Sequence, residues 1–171
     1  MPSILAIETS CDETSASVCC NGKILSNIIA DQKIHESYGG VVPELASRAH
    51  LQNIVPVADM ALKDANMELK DIDAFAFTQS PGLIGALLVG AQFTKSLALV
   101  LNKPLIGVHH MQAHVLANLI DNPYIHFPFL CLTVSGGHTQ IVLAESAAEM
   151  KLLGETLDDA AGEAFDKTAK L

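Results

Sequence analysis

Three observations predict an α/β protein with a mixed sheet covered by helices. Three short apolar segments open the chain, the last two joined by Asn21-Gly22. Helical patterns then alternate with apolar strands from Pro43 to Val108. Finally, a Gly136-Gly137 turn stands between two further strand-like runs, ahead of a last helical stretch.

Residues 3–7 read as the first strand, followed by the polar turn 8–15. Residues 16–20 and 23–30 read as a hairpin, because Asn-Gly supplies the positive φ that a two-residue turn needs. The opening is thus three antiparallel strands. Pro43 starts a helix reaching about Asn66, with Leu45, Ala49, Ile54, Ala58, Ala61 and Leu62 at helical spacing. Pro56 lies inside it and is expected to kink or split it. Residues 72–78 form a strand, 82–101 a small-residue-rich helix, 105–108 a short strand and 109–119 a helix. Strands follow at 129–134, 139–145 and 151–153, and a helix opens at Leu157 and runs to Leu171 without a glycine or proline stop.

Half of the 171 residues are hydrophobic and 17% are charged, which excludes a disordered chain. The formal net charge is −9 and no Lys/Arg block occurs, so a phosphate-contacting surface is not expected on this chain. A nucleic-acid substrate would need its basic surface from elsewhere. The start lacks the basic segment and the small-residue cleavage site of a signal peptide. The apolar stretch 83–101 is broken by Gln92, Thr94, Lys95 and Ser96 and reads as a buried helix, not a membrane span. A cytoplasmic location is expected. Cys11, Cys19, Cys20 and Cys131 form no C-x-x-C pair and are expected to be free thiols.

The sharpest chemical signal is His110-Met111-Gln112-Ala113-His114. Histidines at i and i+4 share a helix face, so both imidazoles can reach one cation. An exposed or capping pair fits the same spacing. The zinc-peptidase motif H-E-x-x-H needs its general base directly after the first histidine, and Met111 stands there. A catalytic metal site needs a third ligand, either Asp12 or Glu13 or a residue beyond Leu171. His109 points to another face.

Val134-Ser135-Gly136-Gly137-His138-Thr139 fits an ordinary hairpin turn, or a backbone cradle for a phosphate or carboxylate. The turn from Thr9 to Ser15 is open to the same two readings. Ser80-Pro81-Gly82-Leu83-Ile84-Gly85, with Gly90, reads as a close-packing helix start; no G-x-x-x-x-G-K-[ST] occurs. Glu155, Asp158, Asp159, Glu163 and Asp166 crowd the start of the last helix, where the dipole favours carboxylates. Asp166 sits about two turns in, and fits a hydroxyl-binding role or a surface one.

Together and in this order, several segments resemble the TsaD family of tRNA threonylcarbamoyltransferases, also known as the glycoprotease or O-sialoglycoprotein endopeptidase group. They are Ile7-Glu8-Thr9-Ser10-Cys11-Asp12-Glu13-Thr14, Gly39-Gly40-Val41-Val42-Pro43-Glu44-Leu45-Ala46-Ser47-Arg48 and Pro81 to Gly90, then His109 to His114, Val134 to Thr139 and Gly154 to Lys167. The resemblance covers essentially the whole chain and is nearest to the bacterial branch. It implies an actin-like ATPase fold of the sugar-kinase and Hsp70 type. Residues 1–171 would be the first lobe of a two-lobed protein, truncated before its second lobe.

The family transfers threonylcarbamoyl from threonylcarbamoyl-AMP to N6 of adenosine 37 in tRNAs reading ANN codons. The resemblance makes His110 and His114 two ligands of one iron (II) or zinc ion per subunit. Thr133, Val134, Ser135, Gly136 and Gly137 would line the adenylate site, and Asp166 would meet the ribose. Asp12 and Glu13 match catalytic-centre acidic residues, with the choice of general base open. The implied partners are tRNA bound through a complex, a dimerising paralogue and a small ATPase, with no membrane. The family's second half supplies an aspartate ligand and further adenosine contacts, so this chain alone is expected to be inactive and to self-associate, a homodimer being one form.

Three other readings compete. A metal-dependent glycoprotein endopeptidase is opposed by Met111. A non-catalytic dimerising scaffold of the same fold would lack the histidine pair. A sugar or acetate kinase shares topology alone.

Overall fold

The computed structural model describes residues 2–120, 122 and 124–169. The chain divides into two compact units, Met1–His110 and Met111–Leu171.

In the first unit, β1 (Ser3–Glu8), β2 (Thr14–Cys20) and β3 (Lys23–Ala30) pair antiparallel, as the hairpin signal predicts. Asn21 and Gly22 take φ of 56° and 75°, the double left-handed turn that matches strand twist. β4 (Ala74–Ser80) joins β1 in parallel and β5 (Leu105–His109) joins β4, giving the order β3-β2-β1-β4-β5. β1 alternates, burying Ser3, Leu5 and Ile7. β4 buries every residue from Ala74 to Thr78, the signature of a central strand covered on both faces.

Two helices complete this unit. α1 (Pro43–Asp64) presents Ile54, Val57, Ala58 and Ala61 to Leu5, Val18, Ile72 and Phe75. Of the expected kink or split at Pro56, the split does not occur: α1 continues through this residue, which has no N–H to donate. α2 (Ile84–Leu101) corrects the reading of 83–101 as a buried helix. It buries the small-residue stripe Ala86, Gly90, Thr94 and Ala98, whereas Ile84, Leu88, Leu99 and Val100 lie exposed. By length and composition alone it could cross a membrane, yet Ala98 belongs to this unit's core and Val89, Phe93, Leu97 and Leu101 pack against that core.

The second unit is a three-stranded antiparallel sheet of β6 (Phe129–Val134), β7 (Thr139–Ala144) and β8 (Met150–Glu155). Val115 packs against Val142 and Ala144, with Phe127, Phe129, Cys131 and Met150 around them. Val115 comes from α3 (His110–Leu116), a helix that spans the boundary of the two units and passes into a 3-10 turn, Ala117–Leu119. His109, expected in this helix, instead ends β5.

α4 (Ala161–Ala169) begins four residues later than the sequence suggests. Thr156 N–H donates to the Thr139 carbonyl and Thr156 Oγ1 to the Asp159 carbonyl, at 2.9 Å each, so residues 156–160 form a turn. The carboxylates therefore do not all crowd a helix start. Glu155 ends β8, Asp158 and Asp159 lie in the turn, and Glu163 occupies the first helical turn. The expected continuation to Leu171 lies outside the described residues.

Candidate functional site

β1, β4 and β5 run parallel, so their C-terminal ends share one sheet edge. Ile7 pairs with Phe77 and His109 with Ser80, which brings the turn after β1, the loop after β4 and the start of α3 to the same level. Ligands of open α/β sheets bind at such edges.

The turn after β1 is held from three directions. Ser10 N–H donates to Glu8 Oε1 at 2.7 Å, closing the turn on itself. The Ser10 carbonyl accepts from Leu83 N–H at 2.7 Å, and Thr9 Oγ1 donates to the Ala86 carbonyl at 2.9 Å. A Cβ on Gly82 would lie 2.6 Å from the Ser10 carbonyl oxygen, and one on Gly90 would run into Thr9 Oγ1. The glycines of 80–90 thus serve close packing, as read from the sequence. From α1, fully buried His50 donates through Nε2 to the Cys11 carbonyl at 3.0 Å and meets Thr14 Oγ1 at 2.8 Å.

So anchored, the turn exposes Cys11 and Glu13 and half-buries Asp12. Glu13 holds its proton more tightly than an ordinary glutamate; desolvation is the main cause, followed by the charges of Asp12, Asp31 and Glu8. The Cys11 thiol is pushed up to about 11, first by desolvation and then by its hydrogen bond with Asp12 and the charges of Asp12 and Glu8. Although the residue is exposed as a whole, its sulfur is no ready nucleophile.

His110 opens α3 at this edge, with Nδ1 3.4 Å from Ser10 Oγ and 3.7 Å from Glu8 Oε1. His114 follows one turn later on the same helix. Two imidazoles at this spacing suit iron or zinc as two members of a ligand set. Among the described residues no group of three His, Cys, Asp or Glu side chains is gathered to hold a metal. The pair fits the ion as a partial site.

In the second unit the 135–138 turn is tightly closed. Ser135 N–H donates to the His138 carbonyl at 2.8 Å, and His138 N–H to Ser135 Oγ at 3.0 Å. α4 packs directly on it: Gly162 N–H donates to the Ser135 carbonyl at 3.1 Å and Ala161 N–H to Thr139 Oγ1 at 2.8 Å. Thr133 is buried, and a Cβ on Gly136 or Gly137 would meet nothing within 4 Å. Space is therefore open where side chains of Gly136 and Gly137 would stand, while Gly162 packs closely on the Gly136 backbone. Asp166 is exposed on α4, while Lys167 bonds Asp159 and Glu163 at 2.6 and 3.1 Å. Those two carboxylates hold the Lys167 ammonium above its ordinary value.

The predicted residues thus divide between the units, Asp12, Glu13 and His110 in the first and His114, residues 133–137 and Asp166 in the second. Glu8 and Ser10, which support those in the first, stand in the segment Ile7–Thr14 without being singled out there, and His50 carries no signal of its own in the sequence.

The family model "TsaD: tRNA N6-adenosine threonylcarbamoyltransferase" matches residues 23–171. A curated relative from Christiangramia forsetii with that enzyme's name is 63% identical over 171 residues, covering 98% of this chain and 50% of the relative. One from Cytophaga hutchinsonii, with the same name, is 59% identical over 168 residues, at 98% and 49% coverage. The chain thus spans about half the length of the curated relatives it matches. Among solved structures, YeaZ from Pseudomonas aeruginosa is similar with a TM-score of 0.60 at 22% identity, covering 91% of this chain and 67% of that one. EutJ from Carboxydothermus hydrogenoformans gives 0.54 at 13% identity, with 99% and 58% coverage. These likenesses carry the fold, which is the actin-like ATPase type expected from the sequence.

Proposed function

We propose, for a chain that belongs to the TsaD family of tRNA N6-adenosine threonylcarbamoyltransferases, that its protein moves a threonylcarbamoyl group from threonylcarbamoyl-AMP to N6 of adenosine 37 in tRNAs reading ANN codons. The observation that carries this reading is the family match together with a histidine pair on α3, whose first member stands at a parallel-sheet edge beside an acidic turn.

In the reaction the adenine amine attacks the carbamoyl carbon, and a C–N bond forms. The bond from that carbon to the phosphate oxygen breaks, AMP leaves, and N6 gives up a proton. An iron or zinc ion, when bound, would polarise the carbonyl and offset charge on the leaving phosphate. His110 and His114 would hold it. Residues 133–137 would take the adenylate, the bare glycine backbone of Gly136 and Gly137 presenting N–H groups to its phosphate. Asp166 would accept from the ribose hydroxyls. Of the two acidic candidates, Glu13 is better suited to receive the N6 proton, because its surroundings raise its proton affinity. Desolvation chiefly keeps that affinity high, and the charge of Asp12 adds to it.

The net charge of −9 argues against a tRNA-binding surface on residues 1–171, and a second lobe, a dimerising paralogue or a small ATPase would supply it. The site of action is the cytoplasm, where tRNA is modified. An endopeptidase is not favoured, since Met111 occupies the position of the required base. Residues 1–171 alone would lack activity, since among the described residues no third side chain is gathered with the two histidines.

The test uses the full-length protein with threonylcarbamoyl-AMP, its partner proteins and an ANN-decoding tRNA, and reads the modified adenosine by mass spectrometry. Product that vanishes in the His110→Ala/His114→Ala variant supports both the transfer and the metal role. A folded, metal-loaded protein with active partners and no product sinks the proposal.

A further inference from the structure

Three strands, not one motif, bring Glu8 and Ser10 beneath His110. Glu8 ends β1, His109 ends β5, and β4 lies between them in parallel register. The Glu8 carboxylate is fixed by the Ser10 N–H at 2.7 Å, and the same oxygen lies 3.7 Å from His110 Nδ1. Ser10 Oγ stands 3.4 Å from that nitrogen. Ser10 itself is buried, its carbonyl is tied to Leu83 N–H, and Gly82 packs so closely on it that a side chain there would clash.

A neutral imidazole carries one proton, on either nitrogen. An anionic oxygen facing Nδ1 favours the tautomer with the proton there, which the Ser10 hydroxyl can also accept, and this puts the lone pair on Nε2. Metal-ligating histidines are oriented in this way by a carboxylate on their other nitrogen. We infer that Glu8, assisted by Ser10, is a positioning residue that sets the tautomer and ring orientation of His110, so that Nε2 is the atom offered to a metal ion. Glu8 does not touch the reacting atoms; it acts through His110. The inference rests on the reading of His110 as a metal ligand, whereas the tautomer it predicts belongs to the metal-free protein.

The experiment has two arms, both on the full-length protein. Long-range nitrogen–proton NMR of the metal-free protein, with His110 assigned through a His110→Gln variant, reads the tautomer directly. The wild type is expected to carry the proton on Nδ1, and Glu8→Ala to shift it toward Nε2, with Glu8→Gln in between. Titration with Zn2+ or anaerobic Fe2+ against a chelating dye then reads affinity. Glu8→Ala is expected to weaken binding roughly 10- to 100-fold, and Ser10→Ala less, with circular dichroism unchanged.

A wild-type Nε2–H tautomer overturns the inference, and so does an unchanged affinity in Glu8→Ala. If Glu8→Ala unfolds the protein, Glu8→Gln decides on the same two readouts. A wild type that binds no metal, yet holds the Nδ1–H tautomer in a Glu8-dependent way, sinks the metal reading and leaves the positioning relation standing.

Discussion

Thr14 Oγ1 lies 2.8 Å from His50 Nδ1, and both side chains are fully buried. The Cys11 carbonyl, which can only accept, takes a hydrogen bond from His50 Nε2, so a ring carrying that single proton accepts at Nδ1 from the threonine hydroxyl. One histidine of α1 thereby satisfies both ends of the acidic turn. Thr14→Val leaves Nδ1 buried without a partner and is expected to cost about 1–3 kcal/mol. His50→Ala adds a cavity to two lost bonds, and about 3 kcal/mol or more is expected. Urea unfolding of the two single variants and the double one reads their coupling; additive losses would show that the bond contributes nothing of its own.

Glu13 yields a pH prediction because its folded proton affinity is raised, chiefly by desolvation. As pH climbs, the unfolded chain loses this proton first, so the folded state binds more protons across the interval between the two values. Stability therefore falls through that interval, and the loss persists at neutral pH. Glu13→Gln is expected to raise the thermal midpoint at neutral pH and to leave it unchanged in acid, where both forms are protonated. A midpoint that does not move at neutral pH would contradict the raised value.

The parts of the fold that were legible in the sequence are those set by local chemistry. Asn21-Gly22 could hardly be other than a hairpin turn, and Pro43 starts α1 where a first-turn proline is tolerated. The exposure of Ile84, Leu99 and Val100 on α2 was not legible, since apolar composition says nothing about what covers a face. The start of α4 was misplaced because Thr156 bonds across to Thr139, seventeen positions back, and holds the acidic residues in a turn. In the candidate site, the spacing of His110 and His114 is a helix property and could be read directly. The approach of Glu8 and Ser10 to His110 depends on strand order, and a hundred residues separate Ser10 from its contact.

Asp73 behaves oppositely to Glu13. Its Oδ2 accepts from Ser3 N–H at 2.9 Å and lies 3.0 Å from the Ser3 hydroxyl. The backbone bond chiefly, then the hydroxyl, hold its carboxyl below the ordinary value, with Lys103 and the N-terminus adding to the effect. Its contribution to stability is fully present above the unfolded value and is lost as pH falls through the lower, folded one. Asp73→Asn should therefore flatten the acid limb of the stability–pH curve and lower the plateau. The check is a series of denaturant midpoints from neutral pH into acid; an unchanged acid limb would remove Asp73 from the account.

Gly162 and Gly136 should respond differently to the same added methyl group. A Cβ on Gly162 would lie 2.7 Å from the Ser135 carbonyl oxygen and 2.8 Å from Gly136 N and Cα. These are backbone atoms of a turn closed by its own hydrogen bonds, so they cannot swing aside as a flexible side chain would. Gly162→Ala must push α4 off the turn and strain the 3.1 Å bond from Gly162 N–H, and overpacking of this kind costs about 1–3 kcal/mol. A Cβ on Gly136 meets nothing within 4 Å, so Gly136→Ala should leave the melting temperature nearly unchanged. If the glycine backbone receives the adenylate phosphate, that methyl group intrudes on the ligand instead. Thermal unfolding and AMP titration of the full-length protein separate the two effects. Gly162→Ala should lose both stability and nucleotide affinity, and Gly136→Ala affinity alone. Full affinity in Gly136→Ala would move the phosphate away from this turn, whatever Gly162→Ala does to the fold.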